Sequence, residues 1–406
     1  MKPQLRRDLD LFPLRHEGKP FILVRDHLGL IEEGRAVPIE LYELMSLMDG
    51  TRDLRDIQMV LMRQKGGTLV GVEEIEQLVA YLDELYLLES QRYEAAKEDM
   101  AARFAGERVR ACSHCGQAYP NEEQALRNRL DEILAMAPAT PGPGSDVVGI
   151  IAPHIDLNVG ARVYGSAYGW LRGVRPSRVV VLGIGHQMRE GLFCLTEKDF
   201  CTPLGTLRTD RPGVQSLLKR GTGIITKNDF DHKGEHSIEF QTLFIQHLLP
   251  RDSFEIIPIL CGNLKAGLAS YTREDYLQKA GPFIKALTDL VVRGGAPALV
   301  VAGVDFSHVG PKFGHPMTAR AMEPDTRRHD QNLLKALSEA DVHAIWAESR
   351  RVEDQFNVCG FSAMACLLEV LGGAKGRVLD YELWHEEATQ SAVSFAAAVY
   401  MAPSNG

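Results

Sequence analysis

The chain has 406 residues, of which 45% are hydrophobic and 24% charged, and a formal net charge of -9. That length suits two domains, one of them large, and the acidic balance leaves no basic footprint for nucleic acid. No apolar run approaches the ~20 residues that cross a bilayer, residues 1–10 develop no signal-peptide core, and seven scattered cysteines suit a reducing cytoplasm rather than a disulfide framework.

Residues 1–95 read as a separate small α+β unit. Residues 21–24 and 29–31 predict a short hairpin around Asp26-His27. A helix over 39–48 ends before Asp49-Gly50, and a second runs from 51 to about 64 with Thr51 or Asp53 as N-cap. Gly66-Gly67 breaks the chain, and 72–88 is amphipathic, with Ile75, Leu78, Val79, Leu82 and Leu85 on one face. A hairpin with three helices resembles a winged-helix domain. The Asp49-Gly50-Thr51 turn and the Leu85-Tyr86-Leu87-Leu88 ending also resemble the small peptide-recognition domains of peptide-modifying systems. A structural cap on the larger domain accounts for the segment equally well.

Residues 96–107 read as a helical linker inside the charged, alanine-rich stretch 89–108, and the proline- and glycine-rich stretch 135–144 as a loop. The large domain, 108–402, then alternates strands and helices. Strands are predicted at 147–152, 178–183, 192–196, 254–261, 297–304 and 392–401. Helices are predicted at 160–172, 211–220, 236–249, 274–293, 324–339, 342–349 and 360–371. This alternation predicts an α/β/α sandwich around a mostly parallel central sheet.

Functional side chains fall where such sheets bind ligands, just past the carboxyl ends of strands. His154, His186 and His308 each follow an apolar run, and Cys359-Gly360 opens an apolar helical stretch. Imidazoles and a thiol gathered at one sheet edge suit a transition metal. Gly183-Ile184-Gly185 invites a dinucleotide reading, but Met188 stands where the third glycine belongs and no ribose-binding acid follows. His236, at a helix start, reads equally as a neutral ligand or base and as a capping or buried structural histidine. Asp305 reads as a carboxylate that orients a ligating imidazole, and His308 as a proton carrier or an exposed loop residue. Cys359 is either an inert buried thiol or a thiolate favoured by the helix start and completing a two-histidine, one-cysteine set. Cys112-Ser113-His114-Cys115 has metal or redox spacing, yet no second pair exists to complete a structural zinc site, so it reads as coincidental.

Taken in order, Ile151-Ala152-Pro153-His154, Leu182-Gly183-Ile184-Gly185-His186, Glu235-His236-Ser237-Ile238-Glu239, Asp305-Phe306-Ser307-His308, Asn357-Val358-Cys359-Gly360 and Gln390-Ser391-Ala392-Val393-Ser394-Phe395 resemble the Memo-like family, with residues 110–120 similar to its opening segment. The chain departs from the family pattern at Gly185-His186-Gln187, with the ligand histidine kept, and at Asp231-His232-Lys233-Gly234. The resemblance covers about 108–402 and implies a fold related to class III (LigB-type) extradiol dioxygenases. It implies His154, His186 and Cys359 as metal ligands, with iron(II) or copper ahead of zinc, and His236 as a pocket histidine. It also implies an AMMECR1-like protein and a radical SAM protein as partners. If the protein is an enzyme, redox or oxygen chemistry leads, with His236 or His308 handling protons. The alternatives are a scaffold that binds a protein or peptide in the old pocket, and a zinc hydrolase.

Overall fold

A computed structural model describes residues 2–26, 28–32, 34–64, 71–137, 146–292 and 297–403. The chain divides into two compact units, Met1–Gly106 and Glu107–Gly406. The glycine pair at 66–67, His27 and the proline-rich stretch 138–144 lie outside the described residues.

The first unit begins with a three-stranded antiparallel sheet, β1 (Leu9–His16), β2 (Lys19–Asp26) and β3 (Ala36–Pro38). Four helices follow, α1 (Ile39–Met45), α2 (Leu54–Gln64), α3 (Val72–Glu84) and α4 (Gln91–Gly106). The hairpin is not the predicted one. It joins β1 to β2 through Glu17 and Gly18, at φ of 50° and 79°, the paired positive φ of a two-residue hairpin turn. Residues 29–31 form no strand because the Leu28, Leu30 and Ile31 N–H groups donate to the Asp26 carboxylate. Asp53 starts α2 by accepting from the Arg55 and Asp56 N–H groups. The apolar face read from the sequence holds: Ile75, Val79 and Leu82 pack with Ile22, Val24, Val37 and Ile57. The segment read as a linker is the second half of α4, whose Tyr93 and Phe104 are buried.

In the second unit β4 (Val109–Arg110) and α5 (Glu123–Ala135) lead into β5 (Val147–Ala152), α6 (Ala161–Tyr168), β6 (Arg178–Ile184) and β7 (Phe193–Leu195). Next come β8 (Asp199–Thr202), β9 (Gly205–Leu207), α7 (Arg211–Arg220), α8 (His236–Leu248), β10 (Glu255–Cys261), α9 (Leu264–Gly267) and α10 (Arg273–Val292). The chain closes with β11 (Ala298–Gly303), β12 (Asp305–Val309), α11 (Ala319–Ser338), α12 (Val342–Arg351), α13 (Phe361–Val370), β13 (Lys375–Glu386) and β14 (Ser391–Met401). Eight strands form the main sheet in the order β12-β14-β5-β11-β6-β10-β7, with β13 on the other edge of β14.

This sheet is mixed rather than mostly parallel. Its centre, β5-β11-β6-β10, is parallel, whereas β7, β12, β13 and β14 pair antiparallel. Side chains alternate along each central strand, so both faces need cover. Val179 and Val181 face a layer built from α5, α6 and α8; Val180 and Leu182 face one built from α7, α10, α11, α12 and α13. The stretch after Val304, expected as a loop, pairs with the amino-terminal half of β14 as β12. The sequence reading also omitted β13 and α5. It started α11 at Pro324, whereas Thr318 caps that helix through the Ala321 N–H.

Candidate metal centre

Parallel pairing decides what meets at the sheet edge. Gly303 lies opposite Ala152, and Ala302 opposite Leu182, so the chain leaves β5, β6 and β11 at one end of the sheet. His154 and His186 emerge there, and Cys359 arrives just before α13. The metal-binding atoms of these three residues lie within 4.8 Å of one another. His154 Nε2 is 3.6 Å from Cys359 Sγ, and His154 is nearly completely buried. Each imidazole has one nitrogen committed elsewhere: His154 Nδ1 to the Gly303 carbonyl at 3.0 Å, and His186 Nδ1 to Glu235 at 3.0 and 3.1 Å. That leaves both Nε2 atoms for a ligand. Two imidazoles and a thiol in this arrangement fit a first-row transition metal.

Glu235 is the organiser that the sequence reading passed over. It caps α8 by accepting from the Ser237 N–H, and it takes both the N–H and Nδ1 of His186. His236 Nδ1 lies 3.3 Å from the same carboxylate, and the His236 ring stacks on His186 at 5.1 Å. Close approach of α8 makes this possible. A Cβ on Gly183 would meet Ser237 and Ile238, and one on Gly303 would meet Ser237 and Gln241. The glycine read as a failed nucleotide motif therefore makes room for a helix. Asp305 accepts the backbone N–H groups of His154 and Ile155 and places Oδ2 3.7 Å from His154 Nε2, while the Gly303 carbonyl takes the imidazole's Nδ1.

Electrostatics divide the histidines. Burial opposes charge on His154, but Asp305 and Cys359 outweigh it and raise the imidazole to about 9. His186 rises well above its ordinary value for the parallel reason, with Glu235 overcoming the cost of burial. Burial pushes His236 well below its ordinary value, helped by His186 and His154 and opposed by Glu235, which makes it the neutral member. Burial would raise the Cys359 thiol, but His308 and His154 bring it down to about 6. An environment that holds a thiolate between imidazoles also holds a cation.

The family model of the Memo-like protein matches residues 110–399. A MEMO1 family protein of Aquifex aeolicus is 35% identical over 408 residues, covering 98% of this chain and 100% of that protein. The MEMO1 family protein of Thermus thermophilus is 27% identical over 351 residues, 85% of this chain and 98% of its own length. That of Aeropyrum pernix is 28% identical over 290 residues, covering 68% of this chain and 92% of that protein. The chain belongs to the Memo-like protein family.

Around this Memo-like centre, a cleft of about 310 Å³ opens past His186 and Cys359 and is walled by Ile184, Met188, Tyr271, Phe361, Asp354 and Asn357. Glu353, Asp354 and Asn357 hold φ of 52°, 55° and 49°, a cluster of left-handed backbone of the kind that functional sites retain. His308 is not among the three clustered residues, though it acts electrostatically on Cys359. Its Nδ1 bonds the Phe306 carbonyl and its ring packs edge-on against Phe313. Among the described residues no helix is long and apolar enough to cross a membrane. Cys112 and Cys115, read above as a coincidence of spacing, are joined as a disulfide, while Cys194, Cys201, Cys261, Cys359 and Cys366 are free. Sequence reasoning also missed Glu239, whose carboxylate pairs with buried Arg110 and accepts from Tyr119 Oη, Ser113 and His114. Its signal lay in the family-like segment 110–120, which supplies all of those donors.

Proposed function

We propose that His154, His186 and Cys359 hold a redox-active metal, iron(II) or copper ahead of zinc, in a dioxygenase-like pocket that acts on a small molecule in the adjoining cleft. The observation that carries this reading is the convergence of two imidazoles and one thiol whose ligand atoms lie within 4.8 Å of one another. When bound, such a metal supplies Lewis acidity and electron-transfer chemistry. Glu235 then sets the orientation of His186, and the Gly303 carbonyl that of His154. His236, neutral and facing both imidazoles, accepts or returns a proton at the pocket wall. His308, whose charge lowers the Cys359 thiol, is the second candidate for proton movement. The cysteine softens the site relative to a carboxylate ligand, favouring iron or copper over magnesium.

A scaffold function is the second reading, and the first unit favours it. Residues 1–106 fold as their own α+β unit and lie outside the matched segment 110–399. We assign that unit a winged-helix-like or peptide-recognition role. We further assign the protein to the cytoplasm, working beside an AMMECR1-like protein and a radical SAM protein.

Elemental analysis of protein purified without oxygen separates the readings. Near-stoichiometric iron or copper in the wild type, lost in both His154→Ala and Cys359→Ala, supports the metal centre. A wild type that takes up no metal on reconstitution overturns it and leaves the scaffold.

A further inference from the structure

The candidate metal centre makes no use of Cys112 and Cys115, yet their bond closes a ring around the two residues that join Glu239 on α8. Between them lie Ser113 and His114. The Ser113 N–H, the Ser113 hydroxyl and the His114 N–H all end on the Glu239 carboxylate, at 3.0, 2.9 and 2.9 Å. The His114 ring lies 5.5 Å from His236 and 5.8 Å from Phe240, with a fifth of its side chain exposed. Both cysteines are part-exposed. The turn is thus held at its base by α8 and pinched at its mouth by sulfur.

We propose that Cys112 and Cys115 form a redox-responsive clamp that fixes the Ser113-His114 turn against Glu239 and His236 when oxidised and frees it when reduced. A pair with two residues between them exchanges readily with external thiols. In the opening step a thiolate of an external dithiol attacks one sulfur, the Cys112–Cys115 bond breaks with the other cysteine leaving as a thiolate, and a mixed disulfide forms. The dithiol's second thiolate then displaces the attacked sulfur. The external dithiol leaves as a cyclic disulfide, and two electrons and two protons reside on Cys112 and Cys115. The change stays local because Glu239 keeps its buried partners Arg110 and Tyr119 when the turn lifts. Of the remaining cysteines, Cys194, Cys261 and Cys366 are buried, and Cys201 and Cys359 are part-exposed but share no disulfide, so Cys112–Cys115 is the bond open to exchange.

The test uses the full-length protein without added metal, so its outcome does not depend on the metal-centre reading. Samples are equilibrated across ratios of reduced to oxidised dithiothreitol, quenched in acid, and their thiols are trapped in denaturant with a maleimide mass tag. Two of the seven cysteines, mapped to 112 and 115, should leave the tagged pool in one two-electron step. Hydrogen exchange at the Ser113 and His114 amides should be about tenfold faster in the reduced state, with α8 unchanged. The double variant Cys112→Ser/Cys115→Ser should exchange like reduced wild type at every ratio. If that variant fails to fold, the wild-type comparison decides alone. Seven tagged cysteines at every ratio, or exchange at 113–114 indifferent to the bond, overturns the clamp.

Discussion

Each unit of this chain buries an arginine against a carboxylate that also takes a tyrosine hydroxyl. In the first, Arg6 bonds Asp8 at 2.9 Å and Asp26 at 2.7 Å, and Tyr93 donates to Asp8 at 2.7 Å. In the second, Arg110 pairs with Glu239, and Tyr119 donates to the same carboxylate. The partners beyond that core differ. Asp26 takes the backbone N–H groups of Leu28, Leu30 and Ile31, and Arg6 bonds the Tyr86 carbonyl, so the cluster closes on its own fold. Arg110 instead bonds the His232 and Glu235 carbonyls, and Glu239 takes Ser113 and His114. The second cluster therefore holds the segment that carries Glu235 and His236 into the pocket. A buried charge must have its partners wherever it lies; what those partners are attached to decides whether it locks a fold or also sets a site.

The largest expected effect breaks the comparison directly. Arg110→Met and Arg6→Met each strand buried carboxylate and should each cost about 3–5 kcal/mol of their own unit's stability in denaturant unfolding. Only Arg110→Met should also weaken metal uptake; equal loss of uptake in both would end the distinction. Acid titration sharpens it. Burial works against the Glu239 charge, but Arg110 and His114 hold the carboxyl below its ordinary value of 4.5. A depressed folded value contributes stability that is complete above pH 4.5 and lost as the pH falls through the folded value. Glu239→Gln should thus be less stable than wild type at neutral pH, and the gap should shrink steadily in acid; a constant gap would refute the assignment.

Glu235→Gln removes the charge that orients His186 and should weaken metal binding about 10–100-fold, read by competition with a chelator. An unchanged affinity would reduce Glu235 to a helix cap. The smallest effect belongs to Gly18→Ala. No atom stands within 4 Å of the added Cβ, but φ of 79° remains, so the loss should be about 1 kcal/mol in the first unit alone. No loss would mean that the hairpin turn carries no conformational demand.

Elements that hold their own signals were legible from the residues. Helix α7 spans the predicted 211–220 because Asp210 caps it through the Gly213 N–H and Gly221 follows its last turn. Strands β5, β6 and β11 were readable from apolar runs that only a doubly covered sheet accepts. The first hairpin was misplaced because the amides of 28, 30 and 31 are claimed by the Asp26 carboxylate, which Arg6 holds in place from 20 residues away. Strands β12 and β13 were invisible for a related reason: both exist by pairing with β14.

The sequence alone determined which residues stand at strand and helix ends. Caps, breaks and apolar periods act over a few residues, so His154, His186, His236 and Cys359 could each be placed one at a time. Tertiary structure decided that three of them meet and that Glu235 holds the fourth beside them. That outcome depends on the register of β5, β11 and β6 and on the two glycines that admit α8. These are contacts across long stretches of chain, and no local pattern specifies them.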